Sequence, residues 1–133
     1  MLNIKSSLAK PFAKLIRKKI YRWAFNPIET QDKVFNNLIT EGVKTHFGKD
    51  HDLISVNTHS DFVKRVPVRD YEDLKPYVER VVEGESDILW PGKPIYFAKT
   101  SGTTSGVKYI PITKDSMPTH IKNARNAILM YIA

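Results

Sequence analysis

The segment AKTSGTTSGVKYIPIT, residues 98–113, holds the densest group of side chains that could bind an anion. Five hydroxyl residues and two glycines occupy residues 100–106, and Lys108 follows closely. Glycines allow backbone N–H groups to converge on a phosphate, short hydroxyls donate to its oxygens, and a lysine neutralises its charge. This composition is typical of a loop that binds phosphate or a nucleotide.

The residues of this loop leave a plain hairpin tip as an alternative, although a hairpin turn needs only about two to five residues. The loop does not match the GxxxxGK[ST] motif, because Gly102 and Gly106 are one residue too close and Tyr109 follows Lys108. It does not match the GxSxG nucleophile motif either, since no serine lies centrally between the glycines. From these residues alone, a plain hairpin tip and a loop that binds phosphate or a nucleotide both remain open, and no catalytic residue is assigned.

Two predicted strands flank the loop. The segments IYFAK, residues 95–99, and VKYIPI, residues 107–112, are rich in β-branched and aromatic residues. Pro111 restricts the second strand to a sheet edge or a strand end. The rest of the chain has helical patterns, so the predicted fold class is α+β, mostly helical with one β-hairpin.

Between residue 27 and the end of the sequence, four helices are predicted from apolar periodicity and from capping residues. The first runs over 27–48 and ends at Gly48, the second begins at Thr58 or Ser60, and the third runs from Asp70 to Gly84. Pro76 is expected to kink or divide the third helix. The last helix begins near Thr113 or Ser116. Its residues expected to face a core are Ile121, Ala124, Ile128, Leu129 and Ile132.

A basic amphipathic helix is predicted at the N-terminus, within residues 7–27. Seven basic residues precede the first acid, Glu29, whereas the remaining 14 basic residues are balanced by 14 acids. Pro11 lies near the predicted start of the helix, and Asn26-Pro27 ends it. The apolar stripe expected to pack on the protein comprises Leu8, Phe12, Leu15, Ile16, Ile20 and Trp23. Docking of this helix on an anionic membrane surface or an acidic partner is the alternative.

Charge and composition narrow the possible functions. The excess positive charge lies on the N-terminal segment alone, and the sequence has no recognisable motif for reading nucleic acid. Both observations argue against a nucleic-acid-binding domain. The chain has no cysteine, which excludes disulfides and thiolate zinc sites and fits a cytoplasmic location. The four histidines form no HExxH motif, so no metal site is predicted. No apolar stretch approaches the length of a membrane span, about 18 residues. We divide the chain into the basic helix, 1–26, and a second region, 27–133, with the loop at 100–108.

A family resemblance strengthens the interpretation of the loop. TSGTTSGVK resembles the Ser/Thr-Ser-Gly-Thr-Thr-Gly-x-x-Lys phosphate loop of acyl-adenylate-forming enzymes. The longer run VPVRDYEDLKPYVERVVEGESDILWPGKPIYFAKTSGTTSGVKYIPIT resembles bacterial members of the auxin-responsive Gretchen Hagen family, whose plant relatives are acyl acid amido synthetases. An FGK-H element of that family corresponds to Phe47 to His51. The resemblance covers about residues 35–133.

The resemblance implies a two-step ligase that uses ATP and Mg2+ to activate a carboxylic acid as acyl-AMP, which an amine or amino acid then attacks. Ser105 departs from the general pattern, which has glycine directly after the second threonine; here the glycine follows one residue later, at Gly106, so its spacing to Lys108 is one residue shorter. The residues that the resemblance assigns to phosphate binding are Thr100, Ser101, Gly102, Thr103, Thr104, Ser105, Gly106 and Lys108.

The family's later motifs, for adenine, ribose, metal and the acyl group, do not occur in these 133 residues. We therefore expect the chain to be the N-terminal portion of a larger α/β adenylate-forming domain. Alone, it is expected to be inactive, to bind no cofactor tightly and to self-associate through its apolar segment AILMYIA. The alternative is a helical interaction module whose basic helix docks on a membrane surface or an acidic partner.

Overall fold

The computed structural model describes residues 4–100 and 106–132, with side chains described from residue 9 onward. The described part of the chain is mostly helical and contains one two-stranded antiparallel hairpin, which confirms the predicted fold class. In chain order the elements are α1 (Ile4–Ala24), α2 (Pro27–Gly42), α3 (His46–Asp50), a 3-10 turn (Leu53–Ser55), α4 (His59–Arg65), α5 (Tyr71–Val82), β1 (Tyr96–Thr100), β2 (Lys108–Ile112) and α6 (Met117–Ile132).

The chain divides into two compact units. The first comprises Met1–Lys33 and Asp115–Ala133, and the second comprises Val34–Lys114. The boundary predicted at residues 26 and 27 rests on charge alone and stays a prediction. Among the described residues, no helix combines the length and the apolar character that a bilayer crossing requires.

In the first unit, α1 packs against α6. Ala13, Ile16 and Leu129 form a buried cluster, with Ile20 partly buried against it. The predicted burial of the whole α1 stripe is wrong, because Phe12, Leu15 and Trp23 are 47%, 51% and 55% exposed. A single partner helix covers only a narrow line of residues at about 3.6 residues per turn, and the line through residues 13, 16 and 20 leaves the others outside.

Two further expectations for this unit are wrong. Of the five α6 residues predicted to face a core, Leu129 is buried; Ile121, Ala124, Ile128 and Ile132 are exposed. Helix α1 begins at Ile4, so Pro11 lies inside the helix and not near its start. Helix α6 does begin directly after Ser116, whose carbonyl accepts hydrogen bonds from the N–H groups of Thr119 and His120.

In the second unit, the helix predicted to run to Gly48 ends at Gly42, and α3 starts four residues later, at His46. The break is made by Thr45, which is fully buried. Its hydroxyl donates to the Gly42 carbonyl at 2.7 Å and accepts the Gly48 N–H at 2.9 Å. A threonine that both closes one helix and caps the next stops the apolar periodicity from continuing as one helix.

The other helix starts of this unit follow the predicted caps. Thr58 caps α4 in a capping box with Asp61, and Asp70 caps α5 by accepting the Asp73 N–H at 3.1 Å. Helix α5 passes through Pro76 without being divided there. Both predicted strands form, and β2 pairs with β1.

Candidate phosphate-binding site

The mouth of the candidate loop is formed by the last residue of β1 and the first residue of β2. Thr100 and Lys108 are directly opposite each other in the antiparallel register, which begins at the other end with Tyr96 and Ile112. The structure therefore brings Thr100, Gly106 and Lys108 together at one end of the hairpin. The other predicted site residues lie outside the described part of the chain: Ser101, Gly102, Thr103, Thr104 and Ser105.

Gly106 gives the chain its direction at the end of the loop. Its φ is +78°, in the left-handed region that L side chains rarely adopt. Among the described residues, no atom would lie within 4 Å of a Cβ at this position, so the backbone conformation is what requires the glycine. The backbone conformation of Gly106 therefore determines the direction in which the chain enters β2, two residues before Lys108.

Lys108 carries a positive charge that no carboxylate neutralises within the described structure. None of the described ion pairs includes this residue. Its side chain is half-buried, and its Nζ lies 5.3 Å from the centre of the Tyr71 ring. Such a cation–π contact stabilises the ammonium position by about 0.5–1 kcal/mol near the surface. The charge at the mouth is therefore positioned and remains available to an anion.

Tyr71 also holds the backbone beside Lys108. The N–H of Tyr109 donates to the Tyr71 hydroxyl at 2.8 Å. This N–H therefore points away from β1. In an antiparallel ladder the backbone nitrogen of the residue two positions further along the strand points in the same direction. That residue is Pro111, which consequently occupies β2 without removing a hydrogen bond to β1.

The FGK-H element fixes the helix from which Tyr71 projects. The Tyr77 hydroxyl, on α5, donates to Asp50 at 2.8 Å, and the Phe47 ring packs edge-on against Tyr77 at 5.3 Å. His51 stacks on Phe47 at 4.1 Å. Burial, and then the hydrogen bond to Asp50, raise the pKa of Tyr77 above its ordinary value, so the phenol remains a donor at neutral pH. The element thus anchors α5; among the described hydrogen bonds and ring contacts, it makes these with Tyr77.

A small depression is lined by residues of α5, of the segment that precedes β1 and of β2, among them Val81, Ile88, Leu89, Trp90, Pro94 and Pro111. Its volume of about 20 Å³ accommodates one water molecule. Pockets for small organic ligands are larger by an order of magnitude, at about 300–1,000 Å³. This depression is therefore too small to hold an acyl group.

Sequence reasoning did not assign Tyr71 to the site. Tyr71 and Tyr109 are 38 residues apart, and their contact joins a helix start to a strand. Apolar periodicity reports which residues share one face of an element and carries no information on such a pair. The available signal was the position of Tyr71 inside the family-like run that leads to the loop.

The comparison with protein families identifies the chain. A model of the GH3 family N-terminal domain matches residues 16–133, so the chain belongs to the GH3 family. This confirms the predicted resemblance at the level of the family.

Named relatives support the assignment. The chain is 33% identical over 107 residues to indole-3-acetic acid-amido synthetase GH3.2 of Arabidopsis thaliana, covering 80% of this chain and 18% of that protein. It is 34% identical over 102 residues to 4-substituted benzoates-glutamate ligase GH3.12 of the same plant, covering 76% of this chain and 16% of the ligase. The chain therefore spans less than a fifth of the length of these relatives.

Proposed function

We propose that this chain carries the phosphate-binding loop of an ATP-dependent acyl acid amido synthetase, a bacterial member of the acyl-adenylate-forming superfamily. In the first step a carboxylate oxygen attacks the α-phosphorus of ATP, which forms acyl-AMP and releases pyrophosphate. An amine then attacks the acyl carbon and expels AMP, which leaves an amide. The names of the two Arabidopsis relatives, a synthetase and a ligase, support this class of reaction.

The observation that carries the proposal is the arrangement of Lys108. It faces Thr100 across the loop mouth, is held over Tyr71 and has no carboxylate partner in the described structure. A preorganised cation next to backbone and hydroxyl donors stabilises charge that builds up on phosphate oxygens as the carboxylate attacks. In this proposal Lys108 and the loop, residues 100–106, bind phosphates and form no covalent bond.

The residues present fit the phosphates of ATP better than they fit Mg2+. Gly106 and Lys108 supply backbone freedom and positive charge, which suit an anion. Among the residues whose side chains the structure describes, no group of three or more histidine or carboxylate side chains is placed to hold a metal ion. In this proposal the chain's own residues bind the phosphate oxygens of ATP, and Mg2+ bound with the nucleotide would supply further neutralisation of its charge.

The proposal assigns the remaining functions to a longer protein. Because the chain spans less than a fifth of its relatives, we propose that it is inactive alone and binds ATP only weakly. The carboxylic acid and amine partners, like the cytoplasmic location, belong to that longer enzyme. We also propose that the isolated chain self-associates through exposed apolar residues of α6, among them Ile121, Ile128 and Tyr131.

The loop proposal can be tested on the chain itself by titrating millimolar pyrophosphate into isotopically labelled protein and following amide NMR shifts. We expect saturable shifts at Gly106 and Lys108, which Lys108→Gln weakens severalfold. Lys99→Gln is the matched control, because Lys99 is an exposed lysine on β1 of the same hairpin. Equal pyrophosphate affinity in Lys108→Gln and the unmodified chain would contradict the proposal.

The exposed stripe of α1 supports a second candidate function, which is docking on an anionic membrane surface. Phe12, Leu15 and Trp23 are about half exposed on a helix that carries seven basic residues before Glu29. We expect the chain to sediment with vesicles containing phosphatidylserine and not with neutral vesicles. Neutralising Lys14 and Lys18 together should weaken binding by about 1 kcal/mol for each charge. Equal sedimentation with both kinds of vesicle would exclude this electrostatic docking.

A further inference from the structure

We propose that Tyr71 is a positioning residue that sets both the side chain of Lys108 and the backbone of Tyr109 for phosphate binding. This inference rests on the proposed function of the loop and adds a residue outside it. Tyr71 does not touch the phosphates in this proposal and acts only through its two neighbours on β2.

The ring of Tyr71 restricts where the Lys108 ammonium can lie. A lysine side chain has four rotatable bonds and loses rotamer freedom when it is fixed. The aromatic face, 5.3 Å from Nζ, favours one region for the charge before any ligand is present. An ion pair would also fix the lysine, but it would have to break or be shared when a phosphate arrives. The ring fixes the ammonium without neutralising it.

The hydroxyl of Tyr71 fixes the strand from which Lys108 projects. Side chains of Lys108 and Tyr109 point to opposite faces of β2, so one ordinary side-chain contact cannot hold both residues. Tyr71 holds both because its ring meets the Lys108 side chain and its oxygen accepts the Tyr109 N–H at 2.8 Å. The phenol oxygen also lies 3.5 Å from the Tyr109 carbonyl oxygen, at the outer limit of a hydrogen bond.

The position of Tyr71 is itself well determined. It is the first residue of α5, directly after the Asp70 cap, and lies about 1.7 turns before Tyr77. The hydrogen bond from Tyr77 to Asp50 and the contact with Phe47 hold this helix against α3. The folded core of the second unit therefore determines the location of the Lys108 charge through α5.

Three variants separate the roles of ring, hydroxyl and lysine. Tyr71→Phe keeps the ring and removes the hydroxyl, Tyr71→Leu removes both, and Lys108→Gln removes the charge. The first measurement is the chemical shift of the Lys108 ε-protons, which an aromatic ring current moves upfield. We expect the upfield shift in the unmodified chain and in Tyr71→Phe, and its loss in Tyr71→Leu.

The second measurement is the pyrophosphate titration described above. We expect Tyr71→Leu to raise the dissociation constant about two- to fivefold, the factor that corresponds to a surface cation–π contact. Tyr71→Phe should keep the Lys108 ε-proton shift while the Tyr109 amide exchanges faster with solvent. Because Tyr71→Leu also removes a contact between α5 and β2, the ε-proton shift of the unmodified chain and the exchange rate in Tyr71→Phe decide the proposal without that variant.

The outcomes distinguish this inference from the proposed function. If Lys108→Gln weakens pyrophosphate binding and a folded Tyr71→Leu does not, Tyr71 is not a positioning residue and the loop proposal stands. If Lys108→Gln has no effect, the loop proposal fails, whatever Tyr71 does. An unshifted Lys108 ε-proton signal in the unmodified chain, or an unchanged Tyr109 exchange rate in Tyr71→Phe, overturns the positioning role directly.

Discussion

Gly48 packs so closely on Gly42 that a Cβ added at position 48 would lie 1.9 Å from the Gly42 carbonyl oxygen and 2.7 Å from its carbonyl carbon. Both atoms belong to the backbone at the end of α2, so neither can move aside as a flexible side chain would. This contact brings the start of α3 onto the end of α2 and places the Thr45 hydroxyl between the two glycines.

The first prediction follows from this contact. Gly48→Ala should destabilise the second unit by more than about 3 kcal/mol, because overpacking against backbone forces a main-chain shift. Chemical denaturation followed by circular dichroism measures the loss. Lys49→Ala, at an exposed position of the same helix, is the control and should change stability by less than about 0.5 kcal/mol. A Gly48→Ala variant as stable as this control would show that the two glycines are not in tight contact.

Thr45 provides a second prediction, in which shape and hydrogen bonding are separated. Thr45→Val keeps the shape but removes the hydroxyl that accepts the Gly48 N–H, whereas the Gly42 carbonyl keeps the backbone N–H of residue 45 as a donor. An unpaired buried polar group costs about 1–3 kcal/mol. Thr45→Ser keeps the hydroxyl and loses one methyl group, at a cost of about 1 kcal/mol. Denaturation midpoints should therefore rank Ser above Val; the reverse order would mean that the methyl group matters more than the cap.

The contact between α1 and α6 gives a third prediction. Ile16 is buried next to Ala13 and Leu129, so Ile16→Ala should cost about 2–5 kcal/mol through lost burial and a residual cavity. Leu15 is one residue earlier and about half exposed, so Leu15→Ala should lower the free energy of unfolding much less. Thermal melts of the two variants make the comparison. Equal losses would place Leu15 in a buried environment, as the apolar stripe alone had predicted.

The capping box of α4 gives a prediction on pH. The hydroxyl of Thr58, followed by the backbone N–H groups of Thr58 and Asn57, holds the pKa of Asp61 below its ordinary value of 3.8. A carboxyl whose pKa is lower in the folded state stabilises the fold above its unfolded pKa, and the stabilisation is lost as pH falls through the folded pKa. Melting temperatures between pH 6 and pH 2 should therefore fall more steeply for the unmodified chain than for Asp61→Asn. Parallel pH profiles would contradict the lowered pKa.

Self-association of the isolated chain is the fifth prediction. Ile121, Ile128 and Tyr131 expose apolar surface on α6. Sedimentation velocity over a hundredfold range of concentration should show dimers or larger species, and Ile128→Glu should shift the population towards monomer. A monomer at all concentrations would exclude α6 as a self-association surface.

Local sequence signals predicted the parts of the fold that depend on neighbouring residues. Thr58 and Asp70 cap helices as expected, because an N-cap bonds to N–H groups within the next turn. The two strands were predicted from their own composition and from the long loop between them. The family was predicted because the loop and the preceding run are contiguous in the sequence.

The features that sequence reasoning missed depend on contacts between distant residues or on the size of a packing partner. The end of α2 was missed because apolar spacing continues past Gly42, whereas the close approach of Gly48 and the Thr45 cap end the helix. The exposure of Leu15 was missed because periodicity indicates a face and not how much of it is covered. Within the site, loop composition predicted Lys108, but no local pattern predicted its contact with Tyr71.

The backbone of β2 has a consequence for how this hairpin can grow into a larger sheet. Along the edge of β2 that faces away from β1, the Tyr109 N–H is occupied by the Tyr71 hydroxyl, and Pro111 has no N–H. The two N–H groups on this edge that would donate to a further strand, those of residues 109 and 111, are therefore occupied or absent. A strand edge of this kind resists intermolecular pairing and aggregation. Sheet extension, by another segment or by another molecule, is thereby directed to β1.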